Sequence, residues 1–152
     1  MKKAFITGAN KSIGFETARQ LLQQGLYVYL GSRSLENGQK AVEQLKSEGL
    51  TQVEAIQIDV TDDNSVNNAR LEIGKTTDVL DILINNSGIS GAKFDEKGEY
   101  IPQTAEHTSI DVFKEVYNIN VYGVIRVTQA FLDLLKQSDE PRIVMVSSSQ
   151  GS

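Results

Sequence analysis

Short apolar runs alternate along this chain with stretches in which apolar residues recur every three or four positions. Five stretches have the length and composition of strands: apolar runs at residues 4–6, 26–30, 80–84 and 142–146, and an alternating pattern at residues 53–58. The stretches between them have helical spacing at Ile13, Thr17 and Leu21 with Ala18 and Leu22 alongside, at Ala41, Val42 and Leu45, at Val66, Ala69 and Ile73, and at Phe113, Val116, Val124, Val127, Phe131 and Leu135. This alternation predicts the α/β class, with a doubly wound parallel sheet and helices on both faces. We expect the strand order 3-2-1-4-5 and a binding site at the carboxyl ends of the strands.

Glycine and capping residues predict where the helices end. Gly25 ends the first helix, the second spans about residues 35–47, and Asp62 can cap the third. Residues 89–108 have no clear period and predict a long loop over the site. His107 is the only histidine and has no second ligand at metal spacing, so we assign it no metal or catalytic role.

The composition favours a globular protein and argues against nucleic-acid and membrane partners. The chain has 152 residues, of which 39% are hydrophobic, and this predicts one globular domain spanning residues 1–152. A net charge of -5 with dispersed Lys and Arg argues against a nucleic-acid partner. Cysteine is absent, and no apolar run reaches membrane-spanning length, so we expect a cytoplasmic protein without a membrane partner.

The segment between the first strand and the first helix, residues 7–14 (TGANKSIG), is the strongest candidate for chemistry. The first N–H groups of a helix lack intrahelical partners, and the helix dipole favours negative charge there, so a diphosphate fits this position. Gly8 and Gly14 are expected where a side chain would keep the backbone from the phosphates, or the helix from the strand. The alternative is an ordinary strand-to-helix turn that needs a positive φ at a glycine.

This segment resembles the T-G-x-x-x-G-x-G turn of the short-chain dehydrogenase/reductase family, and residues 8–11 (GANK), 30–33 (LGSR) and 38–40 (GQK) are most similar to its carbonyl-reductase branch. The resemblance extends over essentially the whole chain and implies a Rossmann-type fold. It implies cofactor contacts from Gly8, Asn10, Lys11, Ser12, Ile13 and Gly14. Ser12 stands where the family usually has its middle glycine, which is either a tolerated substitution or a sign of weakened cofactor binding.

The end of the second predicted strand bears on the choice of cofactor. In dinucleotide-binding folds an acid there accepts from the ribose 2′-OH of NAD, whereas a basic residue accommodates the 2′-phosphate of NADP. Ser32 stands where NAD-using relatives have Asp, Arg33 follows it, and Lys11 lies in the glycine turn. Together these residues predict NADP(H), although Arg33 and Lys11 can also be read as ordinary solvated charges.

Two further strand ends match the family. Asp59 and Val60 follow the third strand, and the resemblance implies that the Asp holds the adenine amino group; simple strand-end or capping chemistry is the alternative. Residues 85–88 (NNSG) are similar to the family's N-N-A-G signature. The two Asn amides can tie neighbouring strand ends together, and we predict Asn86 and Gly88 as cofactor contacts.

The resemblance also implies catalytic residues. Ser148, in the strand-end sequence VSSSQG, matches the catalytic serine, and Asn120 matches the asparagine of a proton relay through water to the active-site lysine. The family's tyrosine and the lysine four residues later have no counterpart, because no tyrosine in residues 1–152 has Lys at that spacing. One expectation is therefore the N-terminal part of an NADPH-dependent carbonyl reductase, inactive alone, with a small carbonyl or alcohol substrate and self-association through the long helix. The other is a truncated nucleotide-binding or interaction module without chemistry.

Overall fold

The computed structural model describes residues 1–86, 93–94, 100–101 and 121–146. Its elements, in chain order, are β1 (Lys3–Ile6), α1 (Ser12–Gln23), β2 (Tyr27–Ser32), α2 (Leu35–Ser47), β3 (Val53–Gln57), α3 (Asp63–Gly74), β4 (Ile82–Asn85), β5 (Lys93–Phe94), β6 (Tyr100–Ile101), α4 (Gly123–Lys136) and β7 (Arg142–Met145). Within these described ranges, no helix has the length and apolar character needed to cross a bilayer.

Five strands form one parallel sheet in the order β3-β2-β1-β4-β7. In chain order this is 3-2-1-4-5, so the predicted topology is confirmed. Phe5 of the central strand β1 lies opposite Tyr29 on one side and Leu83 on the other. All five carboxyl ends meet at one edge, where open α/β sheets bind ligands.

The two faces of the sheet carry separate cores. On one face Phe5 packs with the buried residues of α3 and α4, and its ring centroid lies 4.9 Å from that of Phe131. On the other face Ile6 packs with the buried residues of α1 and α2. Because successive side chains of a strand point to opposite faces, Phe5 and Ile6 serve different cores, and the sheet is covered on both sides.

Gly25 and Asp62 lie at helix ends as predicted, and Ser34 is a further cap that was not predicted. Ser34 accepts from the N–H of Asn37 at 3.2 Å and caps α2, and Asp62 accepts from the N–H of Asn64 at 2.9 Å and caps α3. Gly25 and Gly49 follow their helices with φ of 92° and 89°. These caps satisfy backbone groups that the helix itself leaves unpaired.

The buried stripe of α1 agrees with the prediction except at its start. Ala18 and Leu22, predicted beside Leu21, are buried together with Gly14, and Leu21 packs against the same core. Ile13, predicted to lie on this stripe, is 54% exposed, and Gly14 takes its place where the first turn of the helix approaches the glycine turn. Ile13 is left facing outward at the start of the helix.

Two other predictions change in detail. Residues 89–108, predicted to be a long loop, contain the strands β5 and β6, which pair antiparallel. Strands of two residues are too short to give a visible alternation in sequence. In the long helix, Val127, Phe131 and Leu135 are buried in α4 as predicted, while Phe113, Val116 and His107 lie outside the described residues.

Candidate nucleotide-binding site

The glycine turn, residues 7–14, is held between the two strands that flank β1. The Thr7 N–H donates to the carbonyl of Ile84 in β4 at 3.0 Å. The Ala9 N–H donates to the carbonyl of Gly31 in β2 at 2.7 Å. Backbone bonds to both neighbours fix the path of the turn across the carboxyl edge of the sheet before α1 begins.

Asn86 ties the end of β4 to the same turn. Its backbone N–H donates to Oγ1 of Thr7 at 2.9 Å, and its side-chain Nδ2 donates to the carbonyl of Gly8 at 2.9 Å. The predicted tie between strand ends is thus made by Asn86, whereas Nδ2 of the buried Asn85 has no hydrogen-bond partner among the described residues. A direct contact of Asn86 with a cofactor stays a prediction.

Gly14 allows α1 to approach the turn. A Cβ at this position would lie 2.7 Å from the carbonyl oxygen of Gly8 and 2.9 Å from Cα of Ala9, and it would also collide with Nδ2 of Asn86. Such distances to backbone atoms are shorter than any van der Waals contact allows. Gly8 has φ of 60°, the left-handed region in which glycine carries no steric penalty.

Replacing Gly14 by alanine is expected to lower the free energy of unfolding by about 1–3 kcal/mol, because the methyl group overpacks the turn. Displacing Gly8 and Asn86 should also weaken NADPH binding by about tenfold or more. Chemical denaturation and a binding titration measure the two effects.

Gly38→Ala provides the control for that experiment. In α2 the added Cβ would lie 3.3 Å from Cβ of Ser32 and 3.4 Å from Cβ of Ala55, so it meets side-chain carbons rather than backbone. Since alanine also favours the helix, its stability should stay within about 1 kcal/mol of wild type. If Gly14→Ala and Gly38→Ala lost equal stability and equal NADPH affinity, the close approach of Gly14 to the turn would not be what these properties depend on.

The amino terminus of α1 differs from those of the next two helices. Lys11 at its N-cap makes no side-chain capping hydrogen bond, and its first turn contains no acidic residue. In contrast, α2 has the Ser34 cap with Glu36, and α3 has the Asp62 cap with Asp63. The N-terminus of α1 therefore has unpaired N–H groups and the positive end of the helix dipole available to bind an anion.

Ser12 adopts a backbone conformation that explains the family's glycine at this place. Its φ is 59°, and among the described residues it is the one non-glycine residue with positive φ. The left-handed conformation costs an L-residue about 1–2 kcal/mol, which a glycine avoids at the expense of its own chain entropy. The side chain is exposed, so the hydroxyl remains accessible to a phosphate.

Ser12→Gly is accordingly expected to leave stability unchanged or raise it by up to about 1 kcal/mol. The NADPH dissociation constant should change by less than about tenfold if the serine is merely tolerated. Ser12→Ala, which keeps the strained backbone and loses the hydroxyl, separates the two effects in the same titration. A much larger gain in affinity for the glycine variant would show that the natural site is impaired.

At the end of β2 a buried serine is followed by an exposed arginine. Ser32 is 2% exposed, and its carbonyl accepts from the N–H of Ile58 at 2.9 Å. Arg33 is exposed, and its backbone carbonyl accepts from Nε2 of Gln57 at 3.2 Å. Neither Arg33 nor the exposed Lys11 forms an ion pair with any residue that the structure describes.

Asp59 closes a tight turn after β3. Its Oδ1 accepts from both the N–H of Thr61 at 3.0 Å and Oγ1 of Thr61 at 2.7 Å, while its own N–H donates to Oγ of Ser65 at 2.8 Å. The pKa of the Asp59 carboxyl is lowered, chiefly by the Thr61 hydroxyl and further by the Thr61 N–H and the charges of Arg33 and Arg126, against the effect of partial burial. The group is a carboxylate at neutral pH, and both of its described hydrogen bonds go to one oxygen. A role at adenine stays a prediction.

One contact at this site, made by Arg126, was not predicted from the sequence. The Arg126 guanidinium donates to the carbonyl of Val60 at 2.6 Å and to Oδ1 of Asp63 at 2.5 Å. No local pattern reveals it, because the partners are more than sixty residues apart in the chain. The predicted site residues Gly88, Asn120 and Ser148 lie outside the described residues.

Comparison with known proteins places this arrangement in a family. The model for short chain dehydrogenase matches residues 2–152. The (+)-neomenthol dehydrogenase of Arabidopsis thaliana is 40% identical over 164 aligned positions, covering 97% of this chain and 54% of that protein. The chain therefore belongs to the short-chain dehydrogenase/reductase family, and it spans about half the length of the curated relatives that it matches.

Solved structures agree with that assignment. Menthone neomenthol reductase from Mentha piperita matches with a TM-score of 0.87 and 35% identity, covering 99% of this chain and 62% of its own. The alcohol dehydrogenase from the archaeon Thermococcus sibiricus, in a complex with 5-hydroxy-NADP, matches with a TM-score of 0.80 and 30% identity, covering 95% and 57%. The Rossmann-type fold predicted from the sequence is confirmed.

Proposed function

We propose that this chain binds NADP(H) as part of an NADPH-dependent oxidoreductase that transfers hydride between the cofactor and a small carbonyl or alcohol substrate. The observation that carries the proposal is the glycine turn, held by β2, β4 and Asn86 in front of a helix terminus with no cap of its own. The named activities of the relatives, a dehydrogenase and a reductase, support the reaction class.

The choice of NADP(H) is supported by charge at the end of β2. Arg33 and Lys11 are exposed cations without an ion-pair partner in the described part of the chain, and no acid stands at position 32. A ribose 2′-phosphate is a dianion near neutral pH and would gain from both cations, whereas a free 2′-OH would gain from an acid. The NADP analogue bound by the Thermococcus relative is consistent with this choice.

The other contacts follow from position at the carboxyl edge. The N–H groups at the start of α1 would receive the diphosphate, and the exposed Ile13 and Ser12 would lie against the cofactor beside it. The backbone of Asn10 would line the turn, and Asp59 with Val60 would meet the adenine. Bound NADPH supplies the hydride; this part of the chain supplies its binding and orientation.

The catalytic part of the proposal rests on the family resemblance. Ser148 would hydrogen-bond to the substrate carbonyl and polarise it, and Asn120 would hold a water of the proton relay. The proton would come from a tyrosine whose counterpart residues 1–152 do not contain. The particular carbonyl substrate is left open, because many reactions share this fold.

A direct test is to titrate the protein with NADPH and with NADH and follow nicotinamide fluorescence. Charge-assisted contacts to a phosphate contribute about 1.5–3 kcal/mol each, so we expect NADPH to bind about ten- to a hundredfold more tightly. Equal affinities would contradict the NADP assignment, and absence of binding by either nucleotide would contradict the proposed function.

A further inference from the structure

We propose that Arg126 is a positioning residue for adenine recognition, acting through the peptide between Val60 and Thr61 on the carboxylate of Asp59. The inference rests on the proposed function, since it concerns the part of the site that would meet the adenosine half of the cofactor. It assigns a role in nucleotide binding to a residue of α4, a helix that contributes no predicted contact to the cofactor.

The guanidinium of Arg126 is held by one residue of the turn that follows β3 and by the first residue of α3. One nitrogen, Nη1, donates to the carbonyl oxygen of Val60 at 2.6 Å, and Nε donates to Oδ1 of Asp63 at 2.5 Å. Val60 itself is only 5% exposed, so water competes poorly for its carbonyl. Two short charge-assisted bonds from one planar group leave little freedom to either partner.

The same peptide group is held on its opposite side by Asp59. In a trans peptide the C=O and the N–H point in opposite directions within one plane, and no described peptide bond is cis. Arg126 holds the C=O of Val60, while the N–H of Thr61, the other end of that peptide, donates to Oδ1 of Asp59 at 3.0 Å. Orientation of the peptide by Arg126 therefore orients the N–H that fixes the carboxylate.

The consequence for a ligand concerns the other oxygen of Asp59. With Oδ1 occupied by Thr61, the direction of Oδ2 is set by the plane of the carboxylate. An adenine amino group would need Oδ2 within hydrogen-bond reach and in line with its N–H. Without Arg126 the peptide could rotate, and Oδ2 of Asp59 would adopt a wider range of orientations.

A purely structural role for Arg126, joining α3 to α4, is already filled by a second ion pair. Arg70 of α3 donates to Asp133 of α4 through two bonds, Nε to Oδ1 at 3.1 Å and Nη2 to Oδ2 at 2.7 Å. The Arg70 side chain is 26% exposed and that of Arg126 is 23% exposed, so the two pairs are similarly placed with respect to solvent. Only Arg126 also contacts the turn after β3, which makes Arg70 its matched control.

The experiment compares Arg126→Gln, Arg126→Lys and Arg70→Gln by calorimetric titration with 2′,5′-ADP, together with the melting temperature of each variant. We expect Arg126→Gln to bind 2′,5′-ADP about five- to tenfold more weakly, the effect of one hydrogen bond. Arg126→Lys, which keeps the charge and one donor, should lose less. Arg70→Gln should lower the melting temperature as much as Arg126→Gln and leave the affinity unchanged.

A second readout needs no ligand and follows the amide of Thr61 by NMR. Hydrogen exchange at this amide should accelerate in Arg126→Gln and stay unchanged in Arg70→Gln, because only the first variant frees the peptide. Equal affinities for the two glutamine variants, or equal exchange rates at Thr61, would overturn the inference while leaving the proposed function intact. Absence of 2′,5′-ADP binding by the unchanged protein would overturn the proposed function and this inference with it.

Discussion

Substitution of Arg33 by Asp is expected to reverse the cofactor preference of this protein. The arginine side chain is exposed at the end of β2, and its charge is not neutralised by an ion pair with any described residue. The variant removes a cation from the 2′-phosphate and adds an acceptor for the 2′-OH of NAD, so both changes act in the same direction. Since each is the size of a charge-assisted hydrogen bond, the ratio of the two dissociation constants should shift by about a hundredfold or more.

Lys2→Asp makes the same change in net charge at the opposite end of the sheet. Lys2 precedes β1 and lies close to Glu140, at 3.6 Å, away from the carboxyl ends of the strands. At the ionic strength of ordinary buffer this distant charge is largely screened, so the preference should stay with NADPH. If both variants reduced NADPH affinity equally, the effect would be one of overall charge, and Arg33 would have no specific role.

Local patterns were sufficient to predict the fold. The bounds of α2 were predicted as residues 35–47 and are Leu35–Ser47, because an apolar stripe and the Gly that follows the helix both mark the same segment. The inner strands β1, β2 and β4 are largely buried, so each is an apolar run that can be recognised without knowledge of its neighbours. The alternation of strand and helix predicts a parallel sheet with right-handed crossovers, and the order 3-2-1-4-5 is the one expected for a doubly wound dinucleotide-binding fold.

The details of the site depend on residues that are distant in sequence. Asn86 was predicted to contact the cofactor, and the structure adds a bond to Gly8 across 78 positions. Whether an asparagine after a strand reaches a ligand or a neighbouring carbonyl depends on the register of β4 beside β1, which no local pattern gives. The same is true of Arg126, whose partners lie in another helix and another turn.

The exposure of the outer strand β7 is a property that the sequence did not predict. Its residues were predicted to be a strand from their apolar composition, and they are one, but Ile143, Val144 and Met145 are 47%, 42% and 66% exposed. An apolar run predicts burial, yet among the described residues β7 pairs with β4 alone. Exposed apolar strands with an unpaired edge are prone to associate with other chains.

We expect residues 1–152 expressed alone to self-associate and to show no reduction of carbonyl compounds by NADPH above background. The first expectation follows from β7, and the second from the absence of a Tyr-x-x-x-Lys pair in residues 1–152. The family resemblance implies that this tyrosine gives the proton and that the lysine orients the nicotinamide ribose. General-acid assistance contributes about 10²–10⁴ in rate, so its absence alone should remove measurable turnover.

The measurement is light scattering for the mass in solution, with an assay of NADPH oxidation against aldehydes, ketones and quinones. Val144→Lys, which places a charge on the exposed strand, should reduce association and leave NADPH binding unchanged. The variant thereby distinguishes self-association through β7 from nucleotide binding at the site. Binding of NADPH without turnover would fit both the reductase part and a nucleotide-binding module without chemistry. A monomer with ordinary turnover would contradict both expectations, and Tyr122, 57% exposed at the start of α4, would then be the first candidate for the proton donor.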